Sequence, residues 1–418
     1  MSFNLPVLPD GWRYEPLDRC VLDGAISYGV VQPGQAQNEG VGLVRVNNFH
    51  DGEIKLDDLM KISPEIESKY VRTRLKGGEV LITLVGSVGQ VAITHKNLLG
   101  FNVARAVGVI HPTSEFGAEW ISLCLRSPLS QQLLNSRANT TVQTTINLKD
   151  LKALPIPIPP KAEREKIVEM IFALDKRIAL LRETNMTLEF IAQALFKSWF
   201  IDFDPVHAKA EGREPEGMDA ETAALFPDGF EESKLGLIPK GWSIAKIEQV
   251  LELAYGKALK ATDRIFGSVP VYGSGGVTGY HNEALINEPS VIVGRKGTVG
   301  SLYWEDQPFF PIDTVFYVKA KVPLTYCYYL LQMQGLTEMN TDGAVPGLNR
   351  NNVYRLQIAK SSNEIIQAFD EVVMPIRKKI FSNSEQINIL IKLRDKLLPR
   401  LISGQLCLSE VEEMVGVL

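Results

Sequence analysis

The 418-residue sequence predicts a mixed α/β (α+β) fold, in which two β-rich globular domains of one kind are each followed by a long helix. Three observations carry this. Short motifs recur in the same order: Leu8-Pro9-Asp10-Gly11-Trp12 returns as Ile238-Pro239-Lys240-Gly241-Trp242, Gly86-Ser87-Val88-Gly89 as Gly297-Thr298-Val299-Gly300, and Ile146-Asn147-Leu148 as Leu348-Asn349-Arg350. The offsets of 230, 211 and 202 residues keep the order and vary only by loop length. A heptad series of apolar residues follows each copy. A repeat this long means two domains of one type rather than a solenoid, an internal pseudo-two-fold arrangement.

The first domain is expected over residues 1–158. Val80–Val85 is strand-like, the Gly-Ser-Val-Gly turn interrupts it, and Gln90–Thr94 resumes it, the pattern of a hairpin. Val103–Ile110 reads as one buried strand closed by His111-Pro112, and Trp120–Leu134 has helical spacing. In Leu154-Pro155-Ile156-Pro157-Ile158-Pro159-Pro160 the prolines remove donors and fix an extended chain, so an edge strand is expected. Residues 205–237, with three prolines and an excess of acid, read as an acidic surface linker with one short helix near Asp219–Ala224. The second domain is expected over 238–362, with Ser290–Gly294 and Asp313–Val318 as its clearest strands.

Two helices complete the plan, over 159–204 and 363–405, with a tail over 406–418. Ile167, Ile171, Leu174, Ile178, Leu181, Asn185, Leu188, Ala192, Leu195 and Trp199 recur at steps of four and three, the period of a coiled-coil seam. The series Phe369 to Leu401 repeats it, each member 202 residues on. Asn185 is sixth in the first series and Asn383 fifth in the second. A parallel pair would set each amide against an apolar residue, at ~1–3 kcal/mol per unpaired group. An antiparallel pair of full overlap sets Asn185 against Asn383, so that register is expected. At about 1.5 Å per residue the seam spans ~48 Å.

Composition is that of an ordinary globular protein, 22% charged and 45% hydrophobic. No stretch approaches the ~18 apolar residues of a membrane helix, and the N-terminus lacks a signal-peptide pattern. Cys20, Cys124, Cys327 and Cys407 are widely spaced, which fits a reducing cytoplasm. The net charge of −5 opposes nucleic-acid binding until it is divided. Residues 1–158 hold 15 basic and 15 acidic side chains, 159–237 hold 10 and 16, and 238–362 hold 12 and 10. The acid is concentrated in the connection, which leaves room for a basic face on either domain.

Catalytic constellations are missing. There is no phosphate-loop lysine motif, no GxSxG elbow and no metal spacing among the five histidines. Gly294–Gly300 has glycines enough for a phosphate cradle but no strand–turn–long-helix context, so it reads as a tight hairpin turn. Neither an AdoMet-binding loop nor an Asn/Asp-Pro-Pro-aromatic site is present. The chain is expected to catalyse nothing alone.

The run Ala192-Gln193-Ala194-Leu195-Phe196-Lys197-Ser198-Trp199-Phe200-Ile201-Asp202-Phe203-Asp204-Pro205, with Ala224-Leu225-Phe226-Pro227-Asp228 and Ser233–Trp242 after it, resembles the central conserved region of type I restriction–modification specificity subunits. Leu393–Gly404 is similar to their second conserved region. The resemblance spans nearly the whole chain. It implies that each repeat is a target-recognition domain reading one half of a split double-stranded DNA sequence. It also implies that the two helices pair and dock two methyltransferase subunits, with restriction subunits joining the complex. AdoMet, ATP and Mg then belong to the partners, and no cofactor to this subunit. A coiled-coil adaptor that binds only protein is the alternative.

Candidate DNA-binding residues follow. Arg72, Arg74 and Lys76 alternate along what reads as one face of an extended segment, with Lys69 nearby, either a phosphate clamp or a solvated strand. Arg105, inside an apolar run, reads as a paired structural arginine. Tyr272 to Asn282 is a glycine-rich loop whose Tyr272, Ser274 and Asn282 can approach bases, or simply a surface loop. Arg295, Lys296, Arg350 and Asn351 are further phosphate or base candidates. Asn147 and Asn349 recur in both copies and read as turn caps. Trp199 and Phe200 either anchor a partner or fill the seam.

Overall fold

In the computed structural model the chain folds as two units, residues 1–179 with 388–418, and residues 180–387. The structure describes residues 5–137, 144–339 and 347–406, so the expected tail beyond 406 lies outside the described residues.

In the first unit β1 (Arg13–Pro16) pairs antiparallel with the proline-alternating segment near residue 157, which is an edge strand as expected. β2 (Val21–Tyr28), β3 (Val41–Val44), β4 (Met60–Ile62), β5 (Val80–Thr83), β6 (Val91–Ile93), β7 (Asn102–Val103), β8 (Val107–Pro112) and β9 (Pro155–Ile158) follow. One sheet has the order β2-β8-β5-β6 and a second the order β4-β3-β7. The hairpin β5–β6 forms around Gly86–Gly89, with Val80 opposite Ile93. The single strand expected over Val103–Ile110 is instead two. β7 pairs parallel with β3, whereas β8 pairs antiparallel with β2 and β5, so the chain must turn between sheets at Ala104–Ala106. Val107 N closes that turn on Ala104 O at 2.9 Å.

The helix expected over Trp120–Leu134 is also two, α1 (Ala118–Arg126) and α2 (Pro128–Arg137). Pro128 bars the residue before it from the helical region, and Ser127 lies at ψ 146°. α1 carries Trp120, Ile121, Leu123 and Leu125 into the core, and the Trp120 indole donates to Pro157 O at 3.0 Å. Asn147 caps α3 (Leu148–Lys152), its side-chain oxygen accepting from Asp150 N at 2.9 Å. α4 (Lys161–Phe200) starts in this unit and ends in the next.

The second unit repeats the plan after a folded connection. The segment expected as a surface linker holds α5 (Asp204–Ala210), α6 (Ala220–Leu225), and a hairpin of β10 (Phe230–Ser233) with β11 (Gly236–Pro239). Val206 and Phe226 are buried, and Phe226 stacks edge-on against Trp199 at 5.2 Å. The acidic side chains that suggested a linker are exposed, on these elements and on the turns between them. β12 (Ser243–Lys246), β13 (Leu251–Tyr255), β14 (Val269–Gly273), β15 (Gly276–His281), β16 (Ser290–Gly294), β17 (Leu302–Glu305), β18 (Phe310–Pro311), β19 (Val315–Ala320) and β20 (Gln357–Lys360) complete it. β12 pairs with β20, one sheet has the order β13-β19-β16-β17, and another the order β15-β14-β18. The glycine-rich stretch expected as a loop is the hairpin β14–β15, turned at Ser274-Gly275. α7 (Leu324–Gln332) matches α1, and α8 (Arg350–Tyr354), capped by Asn349, matches α3.

α9 (Asn363–Ile402) matches α4 turn for turn. In the second unit the two helices run antiparallel: Asn185 lies beside Asn383 and Glu189 beside Arg377. Asn383 Nδ2 donates to Asn185 Oδ1 at 2.8 Å. Asn185 Nδ2 donates in turn to Ser384 Oγ at 3.2 Å and Ile380 O at 3.3 Å. Glu189 accepts from Arg377 at 2.6 Å and from Tyr329 and Gln332 at 3.4 Å, while the Arg377 guanidinium lies 4.6 Å from the Trp304 ring centre. Trp199 and Phe200 are buried against Phe369, Tyr326 and Trp242, so they fill this unit's own core. In the first unit Ile167 and Ile171 share a core with Leu398, Leu401 and Ile402. Asp175 joins Arg126 of α1 to Arg394 of α9, at 2.9 Å each.

Removing Asn383 leaves Asn185 Oδ1 without its donor, and removing Asn185 leaves Asn383 Nδ2 without its acceptor. Asn383→Leu is expected to cost about 1–3 kcal/mol, and Asn185→Leu combined with it less than the sum of the singles. Urea denaturation of the four proteins checks this, and strict additivity would dissolve the pair.

Candidate nucleic-acid interface

Each unit builds the same backbone frame where its two sheets meet. In the first, Val30 N donates to Val103 O at 2.7 Å and Ala104 N to Val44 O at 2.8 Å. In the second, Lys257 N donates to Pro311 O at 3.0 Å and Ile312 N to Tyr272 O at 2.9 Å. A Cβ on Gly29 would lie 2.0 Å from Val103 O, and one on Gly256 2.1 Å from Ile312 O. No side chain fits at either crossing, so glycine is required there. The dipeptides Tyr28-Gly29 and Tyr255-Gly256 are thus a further repeat, legible in the sequence but not used in its reading.

The Gly-[Ser/Thr]-Val-Gly turn is the second part of the frame. Gly89 N donates to Thr83 O at 2.9 Å and Val88 N to Gly86 O at 3.0 Å; Gly300 N donates to Gly294 O at 2.8 Å and Val299 N to Gly297 O at 3.0 Å. The segment that precedes the short capped helix is pinned alongside. Val85 bridges Thr145 in one unit, and Lys296 bridges Gly347 in the other. Hydrogen bonds of the main chain hold most of this, joined by Thr83 Oγ1 donating to Ser87 O in one unit and Ser301 Oγ donating to Ser274 O at 2.6 Å in the other, which leaves the exposed side chains at the mouth free to differ.

In the second unit the frame gathers several candidates. Arg295 donates to Asp313 O at 3.0 Å, and its guanidinium lies 4.8 Å from the Tyr255 ring centre. Arg350 lies 4.7 Å from the same ring. The ring orients both cations without neutralising either, since a quadrupole attracts a cation but carries no net charge. Lys296 is exposed beside them, and Ser274 Oγ lies 3.1 Å from where a Cβ of Gly297 would stand. Ser274, Arg295, Lys296 and Arg350 thus belong to one surface. Tyr272 does not join it: its buried hydroxyl donates to Glu305 at 2.8 Å, and burial, reinforced by that carboxylate, pushes its pKa up. Asn282 is exposed just past the opposite end of the hairpin, so it stands apart. Asn351 is exposed in the first turn of α8.

In the first unit the basic candidates separate. The expected extended segment is a turn of 3-10 helix over Ser68–Thr73, because Thr73 and Asn102 draw the chain back onto β7. Lys69, Arg72 and Lys76 are exposed, as a phosphate clamp requires. Arg74 is committed elsewhere. Its Nε donates to Glu67 Oε1 at 2.8 Å, its Nη2 donates to Oε2, and Asn102 Nδ2 donates to Oε1 at 3.2 Å. Those bonds, Arg74's first, hold the buried Glu67 carboxyl below the usual carboxylate range. Arg105, expected to be paired, is exposed in the turn between β7 and β8, with no side-chain partner among the described residues. Sequence reading also passed over Arg45, Asn47, His50, Ser87 and Gln90, which line an open concavity at the Gly86–Gly89 turn.

One unit offers a concavity lined by hydrogen-bonding side chains and the other a surface of ring-oriented cations, the equipment of anion and base-edge binding. Cys20, Cys124 and Cys327 are buried; burial pushes Cys20 and Cys327 up to about 12 and raises Cys124 as well, so none is a ready nucleophile. Among the described residues no helix is long and apolar enough to cross a membrane.

Comparison with known proteins gives a consistent picture. The family model described as the type I restriction modification DNA specificity domain matches residues 28–189 and 239–359, once per repeat. The EcoBI specificity subunit of Escherichia coli is 34% identical over 199 residues, 45% of this chain and 42% of that relative. The HindI specificity subunit of Haemophilus influenzae is 27% identical over 409 residues, covering 79% of this chain and 87% of the relative. The crystal structure of a type I restriction–modification S subunit from M. genitalium shares the fold with a TM-score of 0.57 at 17% identity, covering 96% of this chain and 97% of that one.

If Arg74 serves Glu67, Arg74→Ala is expected to lower the thermal midpoint near neutral pH. The sign follows from the lowered carboxyl: the stabilisation is full above the unfolded Glu value of ~4.3 and fades as pH falls through the folded one. The variant and the native protein should therefore converge in acid. A constant gap between their stability curves down to pH ~2 would refute the pairing.

Proposed function

The chain belongs to the type I restriction–modification DNA specificity family, and on that premise we propose that it is the sequence-reading subunit of a type I complex. It contributes no chemistry of its own. Each domain reads one half of a bipartite duplex target. Methyltransferase subunits, which bring AdoMet, dock on the outer faces of α4 and α9, and restriction subunits, which bring ATP and Mg chemistry, join the same cytoplasmic assembly. The observation that carries the reading is the frame built twice from backbone hydrogen bonds, with different side chains at its mouth: Ser274, Arg295 and Arg350 in one unit, Arg45, Ser87 and Gln90 in the other. Two readers of one construction suit a target with two unlike halves. Docking on the helices is supported by Met186 and Phe190, 67% and 70% exposed on the outer face of α4, since large apolar side chains this open serve contact with a partner.

Lys69, Arg72 and Lys76 then neutralise phosphates while the concave mouths read sequence. Replacing all three by Ala is expected to weaken binding alike for all duplexes and to reduce the salt slope by roughly 0.9 per lost contact. Mobility shift across a salt series, with and without methyltransferase subunits, measures it. A native complex that binds no duplex would make the protein a coiled-coil adaptor instead. An unchanged slope in the variant would remove only these three residues from the interface.

Exchanging residues 238–362 for the matching region of a relative is expected to change one half of the methylated motif and keep the other half and the spacer. Mapping methylated adenines in a host carrying the complex reads the result. Simultaneous change of both halves would end the two-reader model.

A further inference from the structure

We infer that the concavity at the Gly86–Gly89 turn is the base-reading surface of the first domain, with Asn47 and Gln90 as its specificity-determining residues. This rests on the DNA-reading function proposed above and names the atoms that would perform it.

The concavity measures about 770 Å³ and opens to solvent. Arg45, Asn47, His50, Ser87 and Gln90 line it, with Ala104 and Ala106 from the turn between β7 and β8. It occupies the place in its frame that Ser274, Gly275 and Thr298 occupy in the second unit, beside the matching glycine turn. There the strand β14 turns tightly at Ser274-Gly275 into β15. In the first unit β3 runs instead into a longer excursion through Arg45–Ile54, which opens the mouth.

The side chains are of the kind that reads bases. His50, Ser87 and Gln90 are exposed, and among the described residues their side chains have no hydrogen-bond partner, so donors and acceptors are available without breaking anything. Arg45 is held ready: its Nη2 donates to Asp58 O at 3.0 Å and Oδ2 at 3.4 Å, and its Nε is buried without a partner. Asn47 Nδ2 reaches the same Asp58 oxygen at 3.4 Å, a long contact that a base can replace. A carboxamide offers one donor and one acceptor side by side, which matches the N6 and N7 edge of adenine, and a guanidinium matches the edge of guanine. Ala104 and Ala106 leave room for a thymine methyl. Lys69, Arg72 and Lys76 lie outside this concavity, so affinity and sequence are assigned to different parts of the domain.

The test uses the full chain assembled with its methyltransferase subunits. In Asn47→Ala with Gln90→Ala, discrimination at one or two positions of a single half-site is expected to fall roughly ten- to a hundredfold. Binding to random-sequence duplex, the other half-site and the spacer should be unchanged. Gln90→Glu keeps the shape but leaves only acceptors, so at its position the preference should move from adenine toward cytosine. Discrimination unaltered in both variants would overturn the inference while leaving the complex a DNA reader. Should the double variant lose all binding, Gln90→Glu decides alone: an unchanged motif there overturns the inference. A native complex that binds no duplex would sink the functional proposal itself.

Discussion

The structure of each domain depends on one close crossing of chains. At Gly29 over Val103, and at Gly256 over Ile312, two backbones pass with no space for a β-carbon. The crossing lets one strand end donate to another sheet, so two small sheets that would be marginal separately share their hydrogen bonding. It also decides where the connecting turns emerge. Ala104–Ala106 and Ile312–Thr314 are forced outward beside the Gly-[Ser/Thr]-Val-Gly turn, and the mouth that presents the candidate side chains is the product. An alanine at either glycine would displace the mouth as well as the fold.

The large plan was legible because it rests on period and repetition. Heptads, recurring motifs and the Pro155–Ile158 strand are properties of many residues acting together. The failures came where one residue outweighed its neighbours. Pro128 broke a helix that the apolar spacing continued, and the demands of two sheets broke Val103–Ile110 between them. The connection over 205–237 was misjudged because composition does not show which face a charge occupies, and Phe226 and Val206 hold that segment to the core.

Site residues were harder still, since a cation on a sequence can serve a ligand or a carboxylate equally well. Arg74 and Arg72 are two positions apart, yet one is bound to Glu67 and the other faces water. Arg295 and Arg350 are 55 positions apart and meet over one tyrosine. Only Tyr255-Gly256 and its twin offered a local sign of that meeting place.

Because main-chain bonds, with the side chains of Thr83, Gln131 and Ser301, support the mouth, the exposed side chains there carry little of the fold's stability. Ser87 and Gln90 can be exchanged at small cost, since exposed positions away from caps and buried networks seldom move stability by more than about 0.5 kcal/mol. A lineage can therefore acquire a new preference without passing through unfolded intermediates, and the second domain need not follow the first. The crossing is built separately in each domain, so each mouth can be retuned on its own.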